Sequence, residues 1–222
     1  MPSTPAEASE PVNEPEPRWP AVLAVLAVGA LQLMLPEQLS IGPGWLLLVL
    51  VVLLTVPTII ARRLGYFRLN EFFGYSTSGL VTLMLIWSLF RLIVTLPAHR
   101  ETPVELLRSA ATLWFSNILI FATWYWRLDA GGPNARDLRD VHTEGAFLFP
   151  QMTIPALQTI DGARGWAPGF VDYLFLAFNT STAFSPTDVP VLSRWAKLIM
   201  MVQAMISLAT ITLLAARAVN IL

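Results

Sequence analysis

Six apolar runs decide what this chain can fold into. Five of them, residues 19–35, 45–61, 76–96, 106–126 and 195–216, are each about long enough to cross a bilayer. A hydrocarbon core of about 30 Å needs about 20 residues of helix. Lipid offers the backbone no hydrogen-bond partner, so a lipid-surrounded segment must satisfy its own N–H and C=O groups, and helix is the answer. Arg91, Arg108 and Lys197 lie near the ends of these runs, where their charged heads can reach the interface.

Composition agrees. Of 222 residues 55% are apolar and only 13% charged, about half the charged share of a soluble domain. Mean hydropathy is +0.60. Fourteen Lys+Arg against fifteen Asp+Glu leave a formal charge of -1, which removes the case for a nucleic-acid binder. Cysteine is absent, so disulfides and thiolate sites are excluded. The reading calls for no cofactor and no resident metal.

Residues 1–18 hold five prolines and four glutamates and bury too little apolar surface to fold alone. Their acidic character before the first apolar run is unlike a secretory signal, so that run is expected to stay. Three regions follow: a disordered tail over 1–18, N-terminal membrane helices over 19–100, and the remainder over 101–222.

The sixth run, 170–184, has 15 residues and spans roughly 22 Å as a helix. Asp172 stands near its start, the polar run Asn179, Thr180, Ser181 and Thr182 fills its second half, and Ser185-Pro186-Thr187-Asp188-Val189-Pro190 then breaks any helix. The economical expectation is a re-entrant half-helix; the alternative is a short crossing of a thin membrane. The fold class expected is thus all-α, five transmembrane helices plus one re-entrant half-helix. Trp124, Trp126, Trp166 and Trp195 fall at one interface if the run re-enters, whereas Trp195 moves to the other side if it crosses. The arginines of the second and fourth loops place the N-terminus in the cytoplasm.

From Asp172 to Thr182, then Asp188-Val189-Pro190 and Arg194-Trp195-Ala196-Lys197-Leu198, the sequence resembles the pore module of potassium-channel-type proteins. That resemblance implies an outer helix, a pore half-helix, a filter strand and an inner helix. Thr182 and Asp188 fall where the filter threonine and aspartate would fall. Ala183-Phe184-Ser185-Pro186-Thr187 replaces the centre, so both filter glycines are missing, and a ladder of inward-pointing carbonyls is not expected. In such channels the half-helix enters from outside, against the arginine count here. The stretch from Phe178 to Asp188 also resembles a group of uncharacterised bacterial membrane proteins, which implies the bacterial inner membrane.

Polar residues inside the runs form two stripes: Ser109, Thr112 and Ser116 with Asn117 beside them in the fourth, and Gln203, Ser207 and Thr210 in the last, continued by Arg217 just past it. They line a path or join packed helices by hydrogen bonds. Ser and Thr can also bond their own helix, but the amides of Asn117 and Gln203 cannot and are expected to face protein. Asp188 caps a turn or holds a cation, and Asp172 favours a helix N-terminus. The permeation candidates are Asn117, Asn179, Thr180, Thr182, Ser185, Thr187, Asp188, Gln203, Ser207 and Thr210. The loop over 127–168, with Asp137, Arg139, Asp140, His142 and Glu144, is expected to be solvated and charge-balanced. The aromatic run from Phe147 is expected at the interface or packed back on the bundle.

The function expected is channel-like permeation by a homo-oligomer in the lipid bilayer, with an inorganic cation as the passing species. The competing expectation is a non-conducting scaffold. An enzyme is the weakest reading, since no nucleophile–base pair is visible; His142, Glu144 and Asp161 would have to converge.

Overall fold

The computed structural model describes residues 15–95, 102–139, 142, 144–158, 165–182 and 189–219. The described chain is all-helical: α1 (Trp19–Gln32), α2 (Trp45–Arg63), α3 (Phe67–Thr95), α4 (Pro103–Leu128), two short helices α5 (Pro133–Asp137) and α6 (Pro155–Gln158), then α7 (Phe170–Thr182) and α8 (Arg194–Val219). Four helices, α2, α3, α4 and α8, are long and apolar enough to cross a membrane, while α1 is a shorter apolar helix of 14 residues.

Two helix boundaries differ from the apolar runs for physical reasons. Pro36 disfavours helical backbone at Leu35, and α1 ends at Gln32, short of the expected 35. Conversely, α3 begins at Phe67, well before the apolar run from 76. The segment from Phe67 to Tyr75 carries Arg68, Asn70 and Glu71, which lower its hydropathy without lowering its helicity. The Asn70 side chain donates to the Thr58 carbonyl of α2 at 2.8 Å, closing the tight α2–α3 hairpin. At the start of α4, Thr102 and Glu105 form a reciprocal capping box that satisfies otherwise orphaned N–H groups.

Helix directions follow from side-chain pairs. Asp129, the C-cap of α4, and Asn117 within it meet α7 at Tyr173 and Ser181, so α4 and α7 are antiparallel. Between α7 and α8 the pairs are Ala177 with Gln203 and Ser181 with Ser207, both 26 residues apart. A constant offset means that α7 and α8 run in the same direction. A two-sided backbone contact reinforces this: Leu148 N–H donates to Pro190 O at 2.9 Å and Leu192 N–H to Ala146 O at 2.7 Å. The residues just before α8 therefore lie beside the segment that abuts the start of α7.

The core runs along α4, which packs against α1, α3, α7 and α8. Phe147 is its aromatic keystone. It is fully buried, with its ring against Tyr125, Tyr173 and Trp195 at centroid distances of 5.3, 6.2 and 6.3 Å. Together with Phe149, also buried, it packs back on the bundle, one of the two placements the sequence allowed. Phe147→Ala should lower stability by about 3–5 kcal/mol, read as a fall in melting temperature in detergent. Phe115→Ala, on an exposed apolar face, should change it by far less.

Candidate functional site

Most of the permeation candidates that the structure describes gather where α4, α7 and α8 meet. Asn117, Gln203 and Thr210 are completely buried and Ser207 nearly so. Gln203 is the hub. Its amide donates to the Ala177 carbonyl at 2.7 Å and to Ser181 Oγ at 2.8 Å, and its carbonyl accepts from the Tyr125 hydroxyl. Asn117 donates to the Gln203 backbone carbonyl at 3.2 Å and to Ser181 Oγ at 3.4 Å. Ser207 donates to the Ser181 carbonyl at 2.6 Å.

These contacts distinguish glue from lining. Thr210 bonds back to the Ile206 and Ser207 carbonyls of its own helix. Gln203 and Asn117 instead join three helices, because an amide in an apolar bundle needs partners on another element. Ser109, Thr112 and Ser116 of α4 are buried as well. Ser109 Oγ and Asn117 Oδ1 are buried without a hydrogen-bond partner among the described residues.

The remaining candidates lie at the far turn of α7. Asn179, Thr180 and Thr182 are half-buried, with the Thr180 hydroxyl on the Leu176 carbonyl and that of Thr182 on the Asn179 carbonyl. Ser185, Thr187 and Asp188 lie outside the described residues. Two members of the hub were not among the candidates. Ser181 is the residue of its polar run whose helical phase faces α4 and α8. Tyr125 sits between Trp124 and Trp126, which masks it as part of an interfacial aromatic belt.

A second polar centre stands at the α4 C-terminus, and it corrects the expectation of a solvated loop in part: Arg139 and Glu144 are exposed as expected, but His142 is buried and Asp137 partly so. Asp129 and Arg136 are essentially inaccessible and His142 is buried. The Asp129 carboxylate accepts from the Tyr173 hydroxyl at 2.7 Å and the Ala146 N–H at 2.5 Å, with His142 Nε2 at 3.8 Å. Arg136 donates to the carbonyls of Trp126 and Asp129 at 2.9 and 3.0 Å and pairs with Glu16 at 3.0 Å. Its guanidinium also lies over the Tyr173 ring.

Charges that share partners can leave water, which is why this loop folds inward. Gly132, at φ +87°, makes the turn that brings α5 back. A side chain there would meet the Arg127 carbonyl at 2.7 Å. Glu16 also accepts from the Trp126 indole, and Asp137 holds both Arg18 and Arg62, the latter at 3.7 Å. Burial pushes the Arg18 guanidinium down to about 10, against the attraction of Asp137 and Glu16, so it stays charged at neutral pH.

Of the residues whose convergence would mark an enzyme, His142 faces Asp129, Glu144 is exposed, and Asp161 lies outside the described residues. No group of three metal-ligating side chains occurs among the described residues. Compared with known proteins, the chain matches no family model, no curated protein and no solved structure.

The hub makes a quantitative prediction. Gln203→Leu strands the Tyr125 hydroxyl, and should cost about 1–3 kcal/mol in thermal or denaturant unfolding in detergent. Tyr125→Phe should cost less. The double variant should lose less than the sum of the two, since both remove one shared bond.

Proposed function

We propose that this chain is a channel-like permeation protein, crossing the membrane five times and carrying α7 as a re-entrant half-helix. The observation that carries the reading is the common direction of α7 and α8. Thirteen residues take α7 about 20 Å from its starting end. Residues 183–193 then link its far end to a helix that starts where α7 started. Eleven residues can span at most about 40 Å extended, enough to return but not enough to return and cross again as helix.

Three further observations support it. Trp126 packs on Phe170, Trp166 on Phe149 and Trp195 on Phe147, so these indoles share one end of the bundle, as re-entry requires. Residues beyond α1 carry the chain to the opposite end, where the Gln38 carbonyl accepts from Arg91 near the end of α3. The first end holds Arg18, Arg62, Arg136 and Arg139, which the positive-inside rule assigns to the cytoplasm together with the N-terminus. The membrane is then the bacterial inner membrane.

The path runs between copies. Within one copy Asn117, Gln203 and Ser207 hold the helices together and so set the position of α7, while Thr210 bonds back to its own helix. Asn179, Thr180 and Thr182, continued by Ser185, Thr187 and Asp188, supply hydroxyl, amide and carboxylate oxygens suited to an inorganic cation. Leu198, Met201, Met205 and Leu208 form an exposed apolar face on α8 that a neighbouring copy can cover.

Purified protein in planar bilayers should carry cation current, and Asp188→Asn should lower its conductance severalfold. Absence of current under every ion gradient, with Thr182 and Asp188 substitutions silent in cells, would contradict the reading. It would favour the second, a non-conducting scaffold, which the internal satisfaction of Gln203 supports. A stoichiometric partner lost on altering residues 62–68 would then be expected.

A further inference from the structure

A cavity of about 540 Å³ opens between α1, α2, α3 and the end of α4, apart from the α4–α7–α8 hub. Four guanidinium groups line it: Arg18, Arg62, Arg63 and Arg127. Arg18 and Arg62 share the carboxylate of Asp137. Among the described residues, neither Arg63 nor Arg127 has a carboxylate within ion-pair distance. The Arg127 Nε–H is buried without a hydrogen-bond partner.

A guanidinium inside a membrane bundle with no carboxylate partner among the described residues, and only the Trp126 ring 5.4 Å away, is costly, yet the local structure is shaped to accept this one. The Arg127 guanidinium lies against Gly74 of α3, where a Cβ would stand 1.9 Å from its Nη1. Away from the arginines the lining is mostly apolar, with Ala21, Val22 and Val25 of α1 and Ile59 of α2, and the hydroxyls of Thr58 and Thr77 that also line it are turned back onto the Leu54 and Phe73 carbonyls of their own helices. Cationic forks at the mouth and an aliphatic cleft behind describe an amphiphile with an anionic head.

We propose that this cavity binds an anionic membrane lipid, with its phosphate on Arg63 and Arg127 and an alkyl chain along α1 and α2. Guanidinium suits phosphate because two parallel N–H donors match two phosphate oxygens. Basic pockets between transmembrane helices are suited to acidic headgroups. A free phosphate would use the arginines but leave the apolar cleft unfilled, so the lipid is the occupant that matches the whole lining.

Short-chain phosphatidylglycerol, phosphatidylcholine of the same chain length, and inorganic phosphate can be compared on protein in neutral detergent by native mass spectrometry and thermal shift. Phosphatidylglycerol should bind at least tenfold more tightly than phosphatidylcholine and raise the melting temperature. Arg127→Gln should weaken it about tenfold. Val22→Phe, which fills the cleft and leaves every charge in place, should weaken it similarly. Arg108→Gln, on the exposed far end of α4, should leave binding unchanged.

Equal binding of the two lipids, or wild-type affinity in both the Arg127 and Val22 variants, would overturn the proposal. Inorganic phosphate binding as tightly as phosphatidylglycerol would also overturn it, assigning the arginines to a soluble anion. Should Arg127→Gln fail to fold, Val22→Phe and Arg63→Gln carry the test.

Discussion

The arrangement of the C-terminal half depends on one buried carboxylate. Asp129 closes α4, has no exposed surface, and accepts from the Tyr173 hydroxyl and the Ala146 backbone. A carboxylate shielded from water must be compensated by such donors, and here they come from elements far apart in sequence. Tyr173 belongs to the first turn of α7. Ala146 belongs to the strip that pairs with residues 190–192, just ahead of α8. One acid therefore gathers the starts of two helices at a single place, and their common direction follows. Phe147 fills the space between them with the apolar contact that the ionic contacts alone would leave open.

Farther along the same helices, Gln203 repeats this logic with neutral groups. Its amide satisfies α7 backbone and side chain while its oxygen takes the Tyr125 hydroxyl of α4. Amides are costly among apolar side chains unless satisfied, so the hub fixes rotation and depth where aliphatic packing would tolerate sliding. This gives the polar stripe of α8 a positioning role. In the permeation reading it determines where the half-buried end of α7 is held, and the path itself falls to residues near that end.

Much of this was legible from the sequence because membrane helices announce themselves by long apolar runs. The runs behind α2, α4 and α8 needed only small boundary changes. What hydropathy missed were features decided by other forces: Pro36 shortening α1, and the polar but helical start of α3. The burial of Asn117 and Gln203 follows from amide chemistry alone, but their partners do not, since all three of Thr180, Ser181 and Thr182 carry a hydroxyl and helical phase turns Ser181 toward α4 and α8. The Asp129–Arg136–Glu16 centre was not legible. Arg136 and Glu16 lie 120 residues apart, and a charge-balanced loop reads as solvated until its partners are placed. The paired arginines 62 and 63 were read only as a topology signal, although they also line a cavity.

Whether the chain turns back after α7 decides on which side of the membrane α8 begins. Single cysteines introduced into this cysteine-free chain at positions 64, 104, 167 and 192 can be labelled with a membrane-impermeant maleimide in intact cells and in inverted vesicles. Leu64, Val104 and Leu192 are all well exposed, at 64%, 74% and 56%. With α7 re-entrant, positions 167 and 192 should label from the same side as position 64 and opposite to position 104. Labelling of position 192 together with position 104, while 167 stays with 64, would make α7 a full crossing and contradict re-entry.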